Sequence, residues 1–167
     1  MQIYFLRHGP AGSRAEWSGT DDARPLTDEG KARMAREAAT FQRLGVAPAV
    51  ILTSPLARAQ QTAEIVAGRL GLLDRLVSDD RLSPGFGSRD LAEILRDHRG
   101  VSSIMLVGHE PDFSLTVGEL VGGCRLVCKK GGLARVDAGD SSLADAGDSS
   151  LADAELVWLL PPSLLAP

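Results

Sequence analysis

Two arginines and two histidines stand where apolar segments of this chain stop. Residues 3–6 run into Arg7, His8 and Gly9. Residues 49–53 run into Ser54 and Pro55, with Arg58 one turn further on. Residues 103–107 run into Gly108, His109, Glu110 and Pro111. A guanidinium is a permanent cation whose fork of donors matches phosphate oxygens. A neutral imidazole with one nitrogen turned toward phosphorus is a nucleophile. Glycines such as Gly9 and Gly108 allow a close backbone approach. Gathered in one place, these residue types make a phosphoryl pocket. The chain has three histidines. His98 is set apart, in the last turn of a predicted helix, where a cation suits the dipole.

The residues converge only if the elements carrying them are arranged suitably. Residues 2–6 read as a strand. Residues 27–44 read as a helix capped by Thr27, with Asp28 and Glu29 in its first turn and Gly45 as its stop. Residues 49–53 form a second predicted strand. Ser54 then reads as an N-cap and Pro55 as the first residue of a helix running to Leu70 and ending at Gly71. Val77 marks a short edge segment. Residues 89–98 form a helix stopped by Gly100, and 103–107 a third core strand. Residues 111–120 form a helix closed by Gly122 and Gly123, and 133–136 with 156–160 a final hairpin. Alternating strands and helices predict an α/β three-layer sandwich, with a mostly parallel central sheet and helices on both faces. In such a sheet the carboxyl ends of parallel strands share one edge, where ligands bind. The helices predicted to start at Pro55 and Pro111 aim their N-termini at that edge, which favours anions.

Composition narrows the class of protein. The 167 residues suffice for one domain, read as 1–167, with 44% apolar and 24% charged residues. No apolar run reaches the length of a membrane span. Arg7 interrupts the first apolar run, so the N-terminus does not read as a signal peptide, and the expected location is the cytoplasm. Net charge is -4, and six acids between Asp137 and Glu155 carry more than all of it. Without them the body has 18 basic and 16 acidic residues, a net of +2. That balance argues against nonspecific nucleic-acid binding, which needs a basic face, and aromatics are scarce for base stacking. Cys124 and Cys128 make neither a disulfide framework nor a zinc site, and read as buried or idle thiols. The octet DAGDSSLA occurs twice in tandem over residues 137–152. Its spacing fits neither an EF-hand nor the nonapeptide calcium repeat, and it reads as a lengthened, flexible loop inside the last hairpin.

The chain resembles the histidine phosphatase, or phosphoglycerate-mutase-like, superfamily. The resemblance rests on LRHG (6–9), RPLTDEG (24–30), TSPLARAQQTA (53–63) and VGHEP (107–111), in order along the chain. It implies that His8 becomes phosphorylated and that Arg7, Arg58 and His109 hold the phosphoryl group, with no metal or organic cofactor. Within that superfamily the small size, RHGPA, LVGHEPDFS and the closing WLLPP resemble the SixA-type phosphohistidine phosphatases. Larger members insert lids, whereas residues 72–100 here are short, so a minimal lid and an open site are expected.

The resemblance has one departure. Many members carry an acid that protonates the leaving oxygen, and RLSPGFG (81–87) offers none. Glu110 is the candidate acid, or a carboxylate that merely suits a helix N-terminus. Asp79 and Asp80 read as a solvated turn. Gly9, Arg24 and Ser54 are candidate substrate contacts. For Arg24, a salt bridge fixing its own loop is the other reading. The expected activity is a metal-independent phosphatase of protein phosphohistidine, passing through a covalent phosphohistidine on the enzyme. The partner is a phosphohistidine-bearing protein domain or a small phosphate ester, with no nucleic acid and no membrane. The rival readings are a small-molecule phosphomonoesterase or mutase of the same superfamily, and a phosphate-recognition module that does not turn over.

Overall fold

Apolar residues fill consecutive positions of Gln2–Arg7 (β1), so both faces of that strand must be covered. Ile3 and Phe5 pack into one hydrophobic cluster, and Tyr4 and Leu6 into a second on the opposite face. The computed structural model, which describes residues 1–139 and 154–165, builds three layers around this alternation. After β1 come α1 (Asp28–Arg43), β2 (Val50–Thr53), α2 (Ala57–Leu70) and β3 (Leu76–Ser78). Then follow α3 (Ser88–Asp97), β4 (Ser103–Gly108), α4 (Asp112–Leu120), β5 (Leu133–Asp137), β6 (Glu155–Leu160) and α5 (Pro162–Leu165). The sheet order is β3-β2-β4-β1-β5-β6. β3, β2, β4 and β1 run parallel, and β5 is antiparallel to both its neighbours. Met34 and Phe41 of α1 and Ala63 and Val66 of α2 cover one face. Leu91 and Ile94 of α3 and Phe113 and Val117 of α4 cover the other. Residues 72–100 thus supply a strand and a core helix.

Most predicted punctuation is found. Thr27 Oγ1 accepts from the Gly30 amide at 2.9 Å, and Gly45 takes φ 72° after α1. Two helix starts differ from expectation. α2 begins at Ala57, with Leu56 rather than Ser54 in the capping position. The reason is that Ser54 still belongs to the sheet: its amide donates to the Val107 carbonyl at 2.9 Å. α4 begins at Asp112, with Pro111 as its cap and no side-chain capping bond. Packing holds that end instead. Phe113 meets Phe5 edge-on, with centroids 5.3 Å apart, and burying such a ring is worth about 2–3 kcal/mol against about 1 for a good cap. Cys128 is buried as expected, but Cys124 is exposed. The second DAGDSSLA octet, and the first from Asp140 onward, lie outside the described residues.

Candidate active site

The strand ends meet in register. Arg7 pairs with Gly108 across β1 and β4, and the His8 amide donates to the Gly108 carbonyl at 3.0 Å. Thr53 pairs with Val107 across β2 and β4, which places Ser54 beside His109. His109 Nε2 lies 2.8 Å from Ser54 Oγ. The His8 and His109 rings have centroids 5.2 Å apart. Both are buried, at 6% and 3% exposure, and Arg58 is 4% exposed. The strand-end residues singled out in the sequence therefore do come together, and more deeply than an open site requires.

Local bonding sets the state of each group. His8 Nδ1 lies 2.7 Å from the Gly9 carbonyl. A carbonyl only accepts, so Nδ1 carries the proton and Nε2 keeps its lone pair. Gly9 in turn donates its amide to Thr62 Oγ1 at 3.0 Å, and Thr62 Oγ1 donates to the Arg58 carbonyl at 2.7 Å. Gly9 has no room for a side chain, because a Cβ would lie 2.5 Å from Met34 Cγ. Burial drives the His8 pKa down to about 3, helped by His109, Arg58 and Arg7 and opposed by the Gly9 bond. Burial, with Arg58, likewise brings His109 down to about 4. Both imidazoles are neutral at pH 7.

The arginines are held by protein oxygens. One Arg7 terminal nitrogen donates to the Cys128 carbonyl at 2.8 Å. Arg58 donates to the Asp21 carbonyl at 2.8 Å and to Asp21 Oδ2 at 3.1 Å. Arg24 Nε donates to Asp21 Oδ1 at 2.9 Å, and another of its nitrogens to the Gly12 carbonyl at 2.7 Å. Arg24 thus forms a salt bridge within its own loop, linked through Asp21 to Arg58. Asp21 also lies 3.4 Å from Arg14, and its hydrogen bond to Arg24 holds its carboxyl below the usual range. Glu110 is half-buried, with Oε1 accepting from Ser114 Oγ at 2.8 Å inside the first turn of α4. Asp79 pairs with Arg81 at 2.7 Å, and its amide donates to the Thr53 carbonyl at 2.9 Å, so it fixes the turn after β3.

Asp21, Thr62 and Cys128 were not read from the sequence as site residues. Thr62 was findable, since it lies four residues after Arg58 on one helical face. Asp21 precedes Arg24 by three in a single 3₁₀ turn, a spacing that pairs them. Cys128 contributes only a backbone carbonyl, which no side chain announces.

Among the described residues, no cluster of three or more His, Cys, Asp or Glu is placed to hold a metal ion. Four buried side-chain polar atoms among them lack a hydrogen-bond partner: Arg7 Nε, Arg58 Nε, His109 Nδ1 and Glu37 Oε2. Three belong to residues at this site. Neutral His8 thus sits among two guanidiniums and a second imidazole that have polar atoms to spare. Such a set can stabilise an oxyanion.

The sequence profile of the histidine phosphatase superfamily (branch 1) matches residues 3–87. An uncharacterised protein of Picosynechococcus sp. is 34% identical over 172 residues, covering 96% of this chain and 100% of that one. The phosphohistidine phosphatase SixA of Escherichia coli K12 is 32% identical over 129 residues, which is 74% of this chain and 76% of that protein. The structure of the protein histidine phosphatase SixA complexed with tungstate matches with a TM-score of 0.83, at 25% identity, over 98% of both chains. The profile match and these likenesses agree with the geometry: the chain belongs to branch 1 of the histidine phosphatase superfamily.

Proposed function

We propose that this protein is a phosphatase of protein phosphohistidine, acting through a phosphorylated His8. The observation that carries the reading is the pairing of a nucleophile with waiting partners. His8 Nε2 keeps its lone pair, and Arg7 Nε, Arg58 Nε and His109 Nδ1 are buried without partners. Oxygens of a phosphoryl group would satisfy them. Ser54 Oγ accepts from the Leu56 amide at 3.3 Å, so its own proton is free for His109 Nε2. That assignment leaves Nδ1–H of His109 as a donor toward substrate.

In the first step His8 Nε2 forms a bond to phosphorus while the substrate's P–N bond breaks. The departing imidazole nitrogen keeps the bonding pair, and with a proton already on its other ring nitrogen the group leaves as neutral imidazole. The His8 ring, now carrying phosphorus on Nε2 and hydrogen on Nδ1, is cationic, and the Gly9 carbonyl stabilises it. Water then attacks phosphorus, releases phosphate and returns the pair to Nε2. Arg7 and Arg58 supply cationic charge to the transferring oxygens, so no metal is required. An imidazole leaving group needs less protonation than an alkoxide, which suits a site whose candidate acid, Glu110, is already bonded to Ser114. The likenesses to SixA proteins of E. coli and of the tungstate complex support the same substrate class.

The test is phosphate release from a phosphohistidine-bearing protein domain, beside phosphoserine and sugar-phosphate substrates, in EDTA. Phosphohistidine is expected to turn over fastest, and His8→Ala to abolish release while the fold persists. Faster release from the esters would identify a metabolite phosphatase. Binding without any release would identify a recognition module.

A further inference from the structure

Helix α1 buries a carboxyl that the phosphoryl chemistry does not use. Glu37 is 0% exposed. Arg33, one turn earlier, donates from Nε to Glu37 Oε1 at 2.8 Å, while Oε2 has no partner. Burial without full pairing pushes this carboxyl up to about 7, against the pull of Arg33 and Arg36. A leucine would fill the same space without that penalty. The neighbours show what the carboxyl holds.

Glu37 faces Gly131, whose φ is 81°. The approach is so close that a Cβ on Gly131 would collide with Glu37 Oε2. Arg33 reaches the same turn, donating to the Lys130 carbonyl at 3.2 Å. One guanidinium thus ties the Glu37 carboxyl to the backbone of the turn. That turn is fastened to the end of β1. The Gly131 amide lies 3.1 Å from the Arg7 carbonyl and 3.2 Å from that of His8. The Arg7 amide donates to the Gly132 carbonyl at 3.2 Å. Cys128, at the start of the turn, holds the Arg7 guanidinium. Gly131 and Gly132 have no side chains with which to anchor themselves, so α1 supplies the anchor.

We infer that Glu37 and Arg33 are positioning residues, which set Arg7 and His8 by clamping the 128–132 turn against α1. The inference rests on the phosphatase reading for its kinetic consequence, but not for its structural one. Glu37→Leu keeps the volume and removes the acceptor; Glu37→Gln keeps an acceptor for Arg33. Two quantities are measured on the full chain: amide hydrogen exchange at Gly131, and kcat and KM on a phosphohistidine domain. In Glu37→Leu, Gly131 exchange should accelerate and kcat fall about tenfold, with KM little changed and thermal stability undiminished. Glu37→Gln should restore both. Arg33→Ala, at a partly exposed site, should repeat the losses and serves if Glu37→Leu does not fold. Unchanged Gly131 exchange in the folded variants overturns the inference. So does a kcat loss in Glu37→Leu that only tracks lost stability and is absent from Arg33→Ala. If the wild type releases phosphate from no substrate, the phosphatase reading falls, and Gly131 exchange still decides the clamp.

Discussion

The proton on His8 Nδ1 governs much of what this site can do, because its bond to the Gly9 carbonyl leaves Nε2 free. Burial keeps His8 and His109 neutral down to about pH 3 and 4. An unfolded imidazole takes its proton near 6.5. Between those values the unfolded state binds protons that the native state refuses. Glu37, raised to about 7, opposes this with one proton against two, so stability should still fall as pH drops from about 6.5 toward 4, less steeply than the histidines alone would give. Urea midpoints across that range should show it, and His8→Gln should flatten part of the slope. Glu110 offers a second test at this scale. If it protonates oxygen leaving groups, Glu110→Gln should slow phosphoserine release about tenfold or more and barely affect phosphohistidine. Equal loss on both substrates would assign Glu110 to structure, through Ser114.

At the scale of elements, the sequence was most legible where a side chain repeats with a period. The buried strands, the Thr27 cap and the convergence of Arg7, His8, Arg58 and His109 followed from apolar runs and their ends. Legibility failed where backbone did the work. Ser54 has a capping residue's chemistry, yet its amide extends the sheet and its hydroxyl meets His109. The 128–132 turn holds Arg7 through carbonyls and amides, and glycines and lysines give no pattern from which to read that. Asp21 was hidden for another reason: its bond to Arg58 joins residues 37 apart, through a turn too short to have a period.

Across the whole molecule, the two hydrophobic clusters divide the support of the site. α1 and α2 pack on the face of β1 and β4 that carries Tyr4, Leu6, Met105 and Val107, while α3 and α4 pack on the face that carries Ile3, Phe5, Ile104 and Leu106. Of the octet repeat, Asp137 ends β5 and Ala138 joins one cluster, and β5 and β6 pair from Leu133↔Leu160 to Asp137↔Glu155. Removing one copy should leave phosphate release unchanged and the melting temperature within a few degrees, because loop length changes entropy only logarithmically. A large loss of either would give the repeat a role in the fold.

β1 lies in the interior of the sheet, with β4 and β2 toward one edge and β5 toward the other. Fraying starts at edges, so β3 and β6 open before β1 does. His8, the proposed nucleophile, therefore directly follows a strand that local unfolding reaches late. Heat or denaturant should erode the rim of this protein while the His8 end of β1 stays assembled, and the lifetime of the proposed site becomes the lifetime of the central strands.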